Sequence, residues 1–245
     1  LLRNDKNMGV NHNLKRLLEL AKSDYVHFAA ADDRILAGFY EKSMNLLARY
    51  PQAGLCSALT LRINEEGRNL GLHNSFIISK RESFITPEKT RHIIEKIGNW
   101  LGGIARIYKR EALLTSGGFM PELHSFSDGF INKVIALKYG ACFIPEPLAC
   151  FRIMDKGYSM SSSSDFELRE TIISNAVHLM RTKYNSLFSE KYIASFEKME
   201  LSMMAMERLA LMQIQQLEYI KHEFLRQSFL ENLLLFLNRL LMKFE

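Results

Sequence analysis

Short apolar runs alternate with stretches of helical spacing from about Leu14 to Arg152, and that alternation predicts an α/β domain. Leu14, Leu17, Leu18 and Ala21 fall on one helical face, with Lys15, Arg16, Glu19 and Lys22 on the others. Tyr25 to Ala31 is nearly continuously apolar and predicts a strand covered on both faces. Asp32 and Asp33 follow at its carboxyl end, where open α/β sheets bind their ligands. Phe39 to Tyr50 predicts a helix with Phe39, Leu46, Leu47 and Tyr50 inward, stopped by Pro51. Ala53 to Leu61 reads as a strand, Arg62 to Leu70 as a hairpin centred on Glu66-Gly67, and His73 to Ser79 as a further strand. Pro87 opens a helix running to Ile97. Ile104 to Tyr108 predicts a strand, and Arg110 to Thr115 a short helix ended by Gly117-Gly118. Asp128 starts a helix burying Phe130, Ile131, Val134, Ile135 and Leu137, and Ala141 to Ile144 and Leu148 to Ile153 close the sheet.

The pattern changes beyond a serine-rich linker at Ser159 to Ser164. Three helices are expected there: one carrying Phe166, Ile172, Ile173, Ala176, Val177 and Met180, one from Phe196 to Leu225, and one from Phe229 to Phe244. Five of the twelve methionines lie between Met199 and Met212, adaptable packing material. The last helix gathers Phe229, Leu233, Phe236, Leu240 and Phe244 on one arc. Glu231, Asn238 and Arg239 interrupt a stretch already shorter than the ~20 residues a bilayer needs. That face is expected to pack on the domain or a partner subunit, with peripheral membrane contact as the other destination.

Two motif groups carry the chemistry. The first is Asn7-Met8-Gly9, then Ala21-Lys22-Ser23-Asp24-Tyr25, then Ala31-Asp32-Asp33. The second is Gly117-Gly118-Phe119, Ser127-Asp128, Lys138-Tyr139-Gly140 and Ile144-Pro145-Glu146-Pro147-Leu148. Together they resemble the family 2 glycosyltransferases of the GT-A fold, over Asn4 to about Arg152. The resemblance implies a GT-A mixed sheet lacking its first strands, over residues 1–158, followed by a helical C-terminal extension over 159–245. It also implies that the first strand, first helix and second strand precede Leu1, roughly sixty residues by analogy. The base-gripping aspartate would lie there, so the fragment alone is expected to be inactive.

By the same resemblance, the activity is a metal-dependent, inverting transfer of a sugar from a nucleotide-sugar donor to a glycan or lipid-linked acceptor, as in cell-surface polysaccharide biosynthesis. Asp33 is the expected ligand of Mg²⁺ or Mn²⁺, hard cations that suit carboxylate and diphosphate oxygens. Asp32 lies beside it, contacting the metal shell or the nucleotide ribose, and Arg152 is a diphosphate contact. Asp128 takes the place of the catalytic base. A helix cap is the plain alternative for Asp128, a turn or cap for Asp32-Asp33, and a surface salt bridge for Arg152. Trp100-Leu101-Gly102-Gly103 sits where the family lines its acceptor channel, so Trp100 is either a sugar platform or a core residue. Of the histidines only His124 lies near the expected site.

Three positions depart from the family. Ala30 replaces an Asp, Ser127 replaces the Glu before the base, and Met154 stands where the family often has a metal-assisting His, with Asp155 next to it. These departures keep open a non-catalytic, degenerate GT-A interaction module. A metal-dependent nucleotidyltransferase is the other alternative.

Charge and cysteine content refine this picture only slightly. The net charge is +5, with 25 Lys+Arg against 19 Asp+Glu in residues 1–185 and 7 against 8 in residues 186–245. The surplus lies in the expected catalytic part, where it suits anionic partners such as nucleotide sugars. No basic run interleaved with aromatics and no zinc or helix-turn-helix signature points to nucleic acid. Cys56, Cys142 and Cys150 lack CxxC spacing and read as buried thiols of a reducing compartment, hence a cytoplasmic protein, with the inner face of the membrane left open as its location.

Overall fold

A computed structural model describes residues 2–73, 76–154 and 165–241. The chain opens with α1 (Val10–Leu20), β1 (Tyr25–Val26), β2 (Arg34–Ile35), α2 (Phe39–Arg49), β3 (Leu55–Ile63) and β4 (Asn69–Leu72). β5 (Ser83–Ile85), α3 (Pro87–Ile97), β6 (Arg106–Lys109) and α4 (Arg110–Thr115) follow. A 3-10 segment (Pro121–Phe126) leads into α5 (Ser127–Tyr139) and β7 (Ala141–Arg152), and α6 (Phe166–Arg181) and α7 (Glu190–Leu241) close the described chain.

Seven strands form one sheet in the order β1-β6-β3-β7-β2, with β4 also paired to β3 and β5 to β7. β3 and β7 run parallel and every other pairing is antiparallel. This is the mixed α/β architecture expected, with a helical C-terminal region. The central pair carries the core: Cys56 and Ala58 of β3 and Cys142 and Ile144 of β7 pack with Phe39, Leu46 and Leu47 of α2. All three cysteines are free and buried.

Several elements follow their local signals closely. Thr86 caps α3 by accepting a hydrogen bond from the Lys89 N–H, and Pro87 fills the first turn where no N–H is needed. Asp165 caps α6 in the same manner through the Leu168 N–H.

Other expectations are corrected. The strand expected over Tyr25 to Ala31 is only Tyr25–Val26, half-buried at the sheet edge with β6 as its one neighbour, because His27 to Ala30 leave the ladder to line a cleft. His73 and residues 76–79 form no strand, and β5 takes the place beside β7 instead. The two strands expected to close the sheet are one, β7; Pro145 and Pro147, which lack an N–H to donate, shift its register against β3 without ending it. The two long helices expected after Phe196 are likewise one, α7, which contains neither Gly nor Pro to stop it. The linker at Ser159 to Ser164 and Asp155 lie outside the described residues.

Two compact units divide the chain, Leu1–Glu197 and the segment from Lys198 onward. The first contains the sheet and α1 to α6. The second is helical, and Met206, Leu209 and Leu217 are each at least 60% exposed on it. No described helix is long and apolar enough to cross a membrane.

Candidate active site

Three segments distant in sequence line one cleft of about 670 Å³: Val26 to Ala30 with Asp33, the strand β6 around Arg106 and Tyr108, and Phe119 to Asp128. The apolar face of α1, with Val10, Leu14 and Leu17, forms a further wall. Phe28 packs edge-on against Tyr108 and Phe119, with ring centroids 6.1 and 5.0 Å away. The cleft is therefore apolar with a few charged groups set into it, the usual make-up of a small-molecule site.

Asp33 sits in the turn between β1 and β2. Its Oδ1 accepts the Arg152 N–H at 2.8 Å, whereas Oδ2 is buried without a partner among the described residues. Burial raises its pKa above the ordinary 3.8; the Arg152 N–H acts against this, and the neighbouring Asp32 charge adds to it. Asp32 is exposed and lies outside the cleft lining, as does Arg152. The Arg152 guanidinium is held by backbone carbonyls: Nε donates to Asp32 at 2.9 Å, and Nη1 to Asn64 at 2.8 Å and Glu65 at 2.6 Å. These bonds tie the carboxylate turn to the β3–β4 hairpin. Among the described residues, no group of three or more His, Cys, Asp or Glu is placed to hold a metal ion. A cation here would draw on Asp33, with Asp32 and the ligand's own oxygens completing its shell.

Asp128 is organised differently. It lies in the first turn of α5, and its Oδ1 accepts the Gly129 N–H at 2.7 Å. Its Oδ2 pairs with the Arg106 guanidinium at 2.7 Å. Arg106 is buried and also donates to the Leu101 carbonyl at 3.2 Å. Beside it the Tyr108 hydroxyl, pushed up to about 12 by burial, stays protonated and donates to Asn132 Oδ1 at 2.8 Å.

Histidines complete the surroundings. His27 lies 3.3 Å from the Ile104 carbonyl through Nε2 and 3.1 Å from the Tyr40 hydroxyl through Nδ1. A carbonyl only accepts, so Nε2 carries the proton and Nδ1 accepts from Tyr40. Burial lowers the pKa of His27 and keeps the ring neutral near pH 7. His73 packs edge-on against Phe151 of the lining, and burial lowers its pKa too. His124 lines the cleft with φ 45° and ψ −123°, backbone territory that costs a non-glycine residue about 1–3 kcal/mol.

Trp100 is not a sugar platform. It is buried, with its ring centroid 5.8 Å from that of Phe143 in β7. The glycines after it serve the sheet: a Cβ on Gly103 would lie 2.2 Å from Thr60 Oγ1, so only glycine lets this backbone approach β3. Met154 is exposed just beyond β7. The residues that sequence reasoning missed are Arg106, Tyr108 and His27. The available signal for Arg106 was a lone charge inside the apolar run Ile104 to Tyr108, a buried cation that requires a partner.

No family model matches the chain. It is 25% identical over 162 residues to an uncharacterized protein of Mycobacterium tuberculosis, MT1568, covering 62% of this chain and 49% of that one. The chain thus spans about half the length of the curated relative it matches. In structure it is similar to S. aureus TarS 1–349, with a TM-score of 0.46, 16% identity and coverage of 69% of this chain and 45% of that one. It is also similar to the mannosyltransferase PcManGT from Pyrobaculum calidifontis, solved in complex with GDP-Man and Mn²⁺, with a TM-score of 0.44, 17% identity and coverage of 81% and 50%.

Proposed function

We propose that this chain carries the transfer chemistry of a metal-dependent, inverting glycosyltransferase, acting on a nucleotide-sugar donor and a glycan or lipid-linked acceptor at the cytoplasmic face of the membrane. Residues 1–158 would hold the transfer domain and 159–245 its helical extension. The observation that carries this reading is the meeting of Asp33 and Asp128 in one apolar cleft, because the two motif groups of the sequence each contribute one of them.

The chemistry assigns separate tasks to the two carboxylates. Asp128 accepts the proton of the acceptor hydroxyl as that oxygen attacks the anomeric carbon from the face opposite the diphosphate. The new glycosidic bond forms as the bond to the diphosphate breaks, and the electron pair leaves with the phosphate oxygen. Each Asp128 oxygen takes one hydrogen bond from the protein and keeps capacity for a second. Arg106 fixes the carboxylate's orientation beside the apolar walls of the cleft. The orphaned Asp33 Oδ2, with its raised pKa, fits a hard cation, which Asp33 and Asp32 would hold. Bound Mg²⁺ or Mn²⁺ would neutralise charge on the departing diphosphate. Arg152 supports that corner by fixing the Asp32 carbonyl.

Calorimetry on the full-length protein with UDP-glucose and GDP-mannose, with and without Mn²⁺, tests the assignment. Donor binding should require Mn²⁺ and be lost in Asp33→Asn; equal donor affinity in the two proteins would sink the metal role. For the segment beyond Lys198, its exposed apolar residues and balanced charge support a protein partner, a second copy included, over anionic lipid. Co-sedimentation with liposomes that disappears in a chain ending at Arg226 would reverse that preference.

A further inference from the structure

His124 is the only non-glycine residue with positive φ among the described residues. Its angles are those of the first central position of a type II′ turn, a glycine position. Nothing about its own ring offsets the strain. The residue is exposed, and among the described residues the imidazole makes no hydrogen bond or ring contact. What is fixed is the backbone around it. The His124 carbonyl accepts a hydrogen bond from the buried Asn11 side chain at 3.0 Å, Leu123 is fully buried, and Ser127 Oγ accepts the Met120 N–H at 2.6 Å. A glycine would satisfy all of these constraints and adopt the turn without strain. The chain instead places an imidazole at the rim of the cleft that Asp33 and Asp128 line.

We infer that His124 is a ligand-contact residue, its imidazole hydrogen-bonding a hydroxyl of the sugar bound beside Asp128. The inference rests on the glycosyl-transfer reading above. A neutral imidazole presents one N–H donor and one acceptor nitrogen, a pairing that matches a hydroxyl, itself both donor and acceptor. Backbone strain held at a site residue is part of how such positions are maintained.

The test uses the full-length protein and the variants His124→Gly and His124→Ala, with UDP-glucose, GDP-mannose, UDP and GDP in the presence of Mn²⁺ as probes. Glycine removes both strain and ring, whereas alanine removes only the ring. His124→Gly should therefore melt about 5 °C above the wild type, and His124→Ala should show no such rise. Both should bind the nucleotide sugar at least tenfold more weakly. In the wild type, the imidazole Cε1–H resonance that vanishes in both variants should move with the nucleotide sugar and stay in place with UDP or GDP. Unchanged sugar affinity in both variants, alongside lost binding in Asp33→Asn, overturns the role of His124 alone. A resonance that moves equally with the bare diphosphate overturns the hydroxyl contact, and a His124→Gly variant no more stable than the wild type overturns the strain. A wild type that binds none of the nucleotide sugars overturns the transferase reading and this role with it.

Discussion

The turn at Asp33 and the first turn of α5 at Asp128 face one cleft, yet they solve the problem of a part-buried carboxylate in opposite ways. Asp128 has a guanidinium at 2.7 Å and a backbone N–H on its other oxygen, so its charge is matched within the protein. Asp33 has one backbone N–H and a second, buried oxygen without a hydrogen-bond partner among the described residues, and burial acts against its ionised form. A matched carboxylate is held in one orientation in the resting state. An unmatched one carries an electrostatic cost that either a proton or an added cation relieves. The contrast separates a carboxylate held in place by the protein from one that, on the proposed reading, takes up a ligand.

The largest effect should come from the matched side. Asp128→Asn should lower turnover by about a hundredfold or more while leaving donor affinity nearly unchanged, as steady-state kinetics beside calorimetry would show. It should also destabilise the fold by about 1–3 kcal/mol, because Arg106 is left buried without its counter-charge and Asp128 itself is partly solvated. If turnover survives within a fewfold, Asp128 only serves the ion pair.

The unmatched side should answer to cations. At about a hundred times its dissociation constant, Mn²⁺ should stabilise the wild type by about 2.7 kcal/mol, a rise of roughly 5–10 °C in melting temperature. Asp33→Asn should show none of that rise. An equal rise in both proteins would place the cation elsewhere.

Parts of the fold and the two candidate carboxylates were legible in advance, and the illegible part has physical causes. The bounds of α3 and α4 and the buried face of α5 follow from caps, glycines and helical spacing that act within a few residues. Asp33 and Asp128 stood out because each closes a motif of fixed local spacing. Arg106 did not, because its partner is contributed from another element and no local rule joins β6 to α5. Trp100 before two glycines looked like an exposed ring, but burial is decided by what β7 places opposite it. Conformation at His124 is equally invisible: its carbonyl is held by the Asn11 side chain, over a hundred residues away.

Smaller effects sharpen the comparison further. Arg152→Gln should cost about 1–2 kcal/mol in chemical denaturation, since it removes charge-assisted bonds to the Asn64 and Glu65 carbonyls near the surface. It should also weaken Mn²⁺ binding by loosening the turn that carries Asp33. The smallest effect is a pH slope. Burial raises the Asp33 pKa in the fold, so the folded chain binds this proton more tightly than the unfolded one, and stability falls as pH rises from about 3.8 through the raised value. In cation-free buffer Asp33→Asn should lack this part of the decline, measured as the difference in melting temperature between pH 4 and pH 7.

The bond from the Arg152 N–H to Asp33 joins residues 119 positions apart, and the parallel pairing of β3 with β7 joins residues 86 to 89 positions apart, from Leu55 with Ala141 to Ile63 with Arg152. Neither can form until the intervening chain has collapsed, and closing such long loops is what slows folding in sheets of this kind. During synthesis the Asp33 turn must therefore wait, its carboxylate solvated, until β7 has been made. The core and the Asp33 turn then form together, and any mutation that delays β7 should delay both.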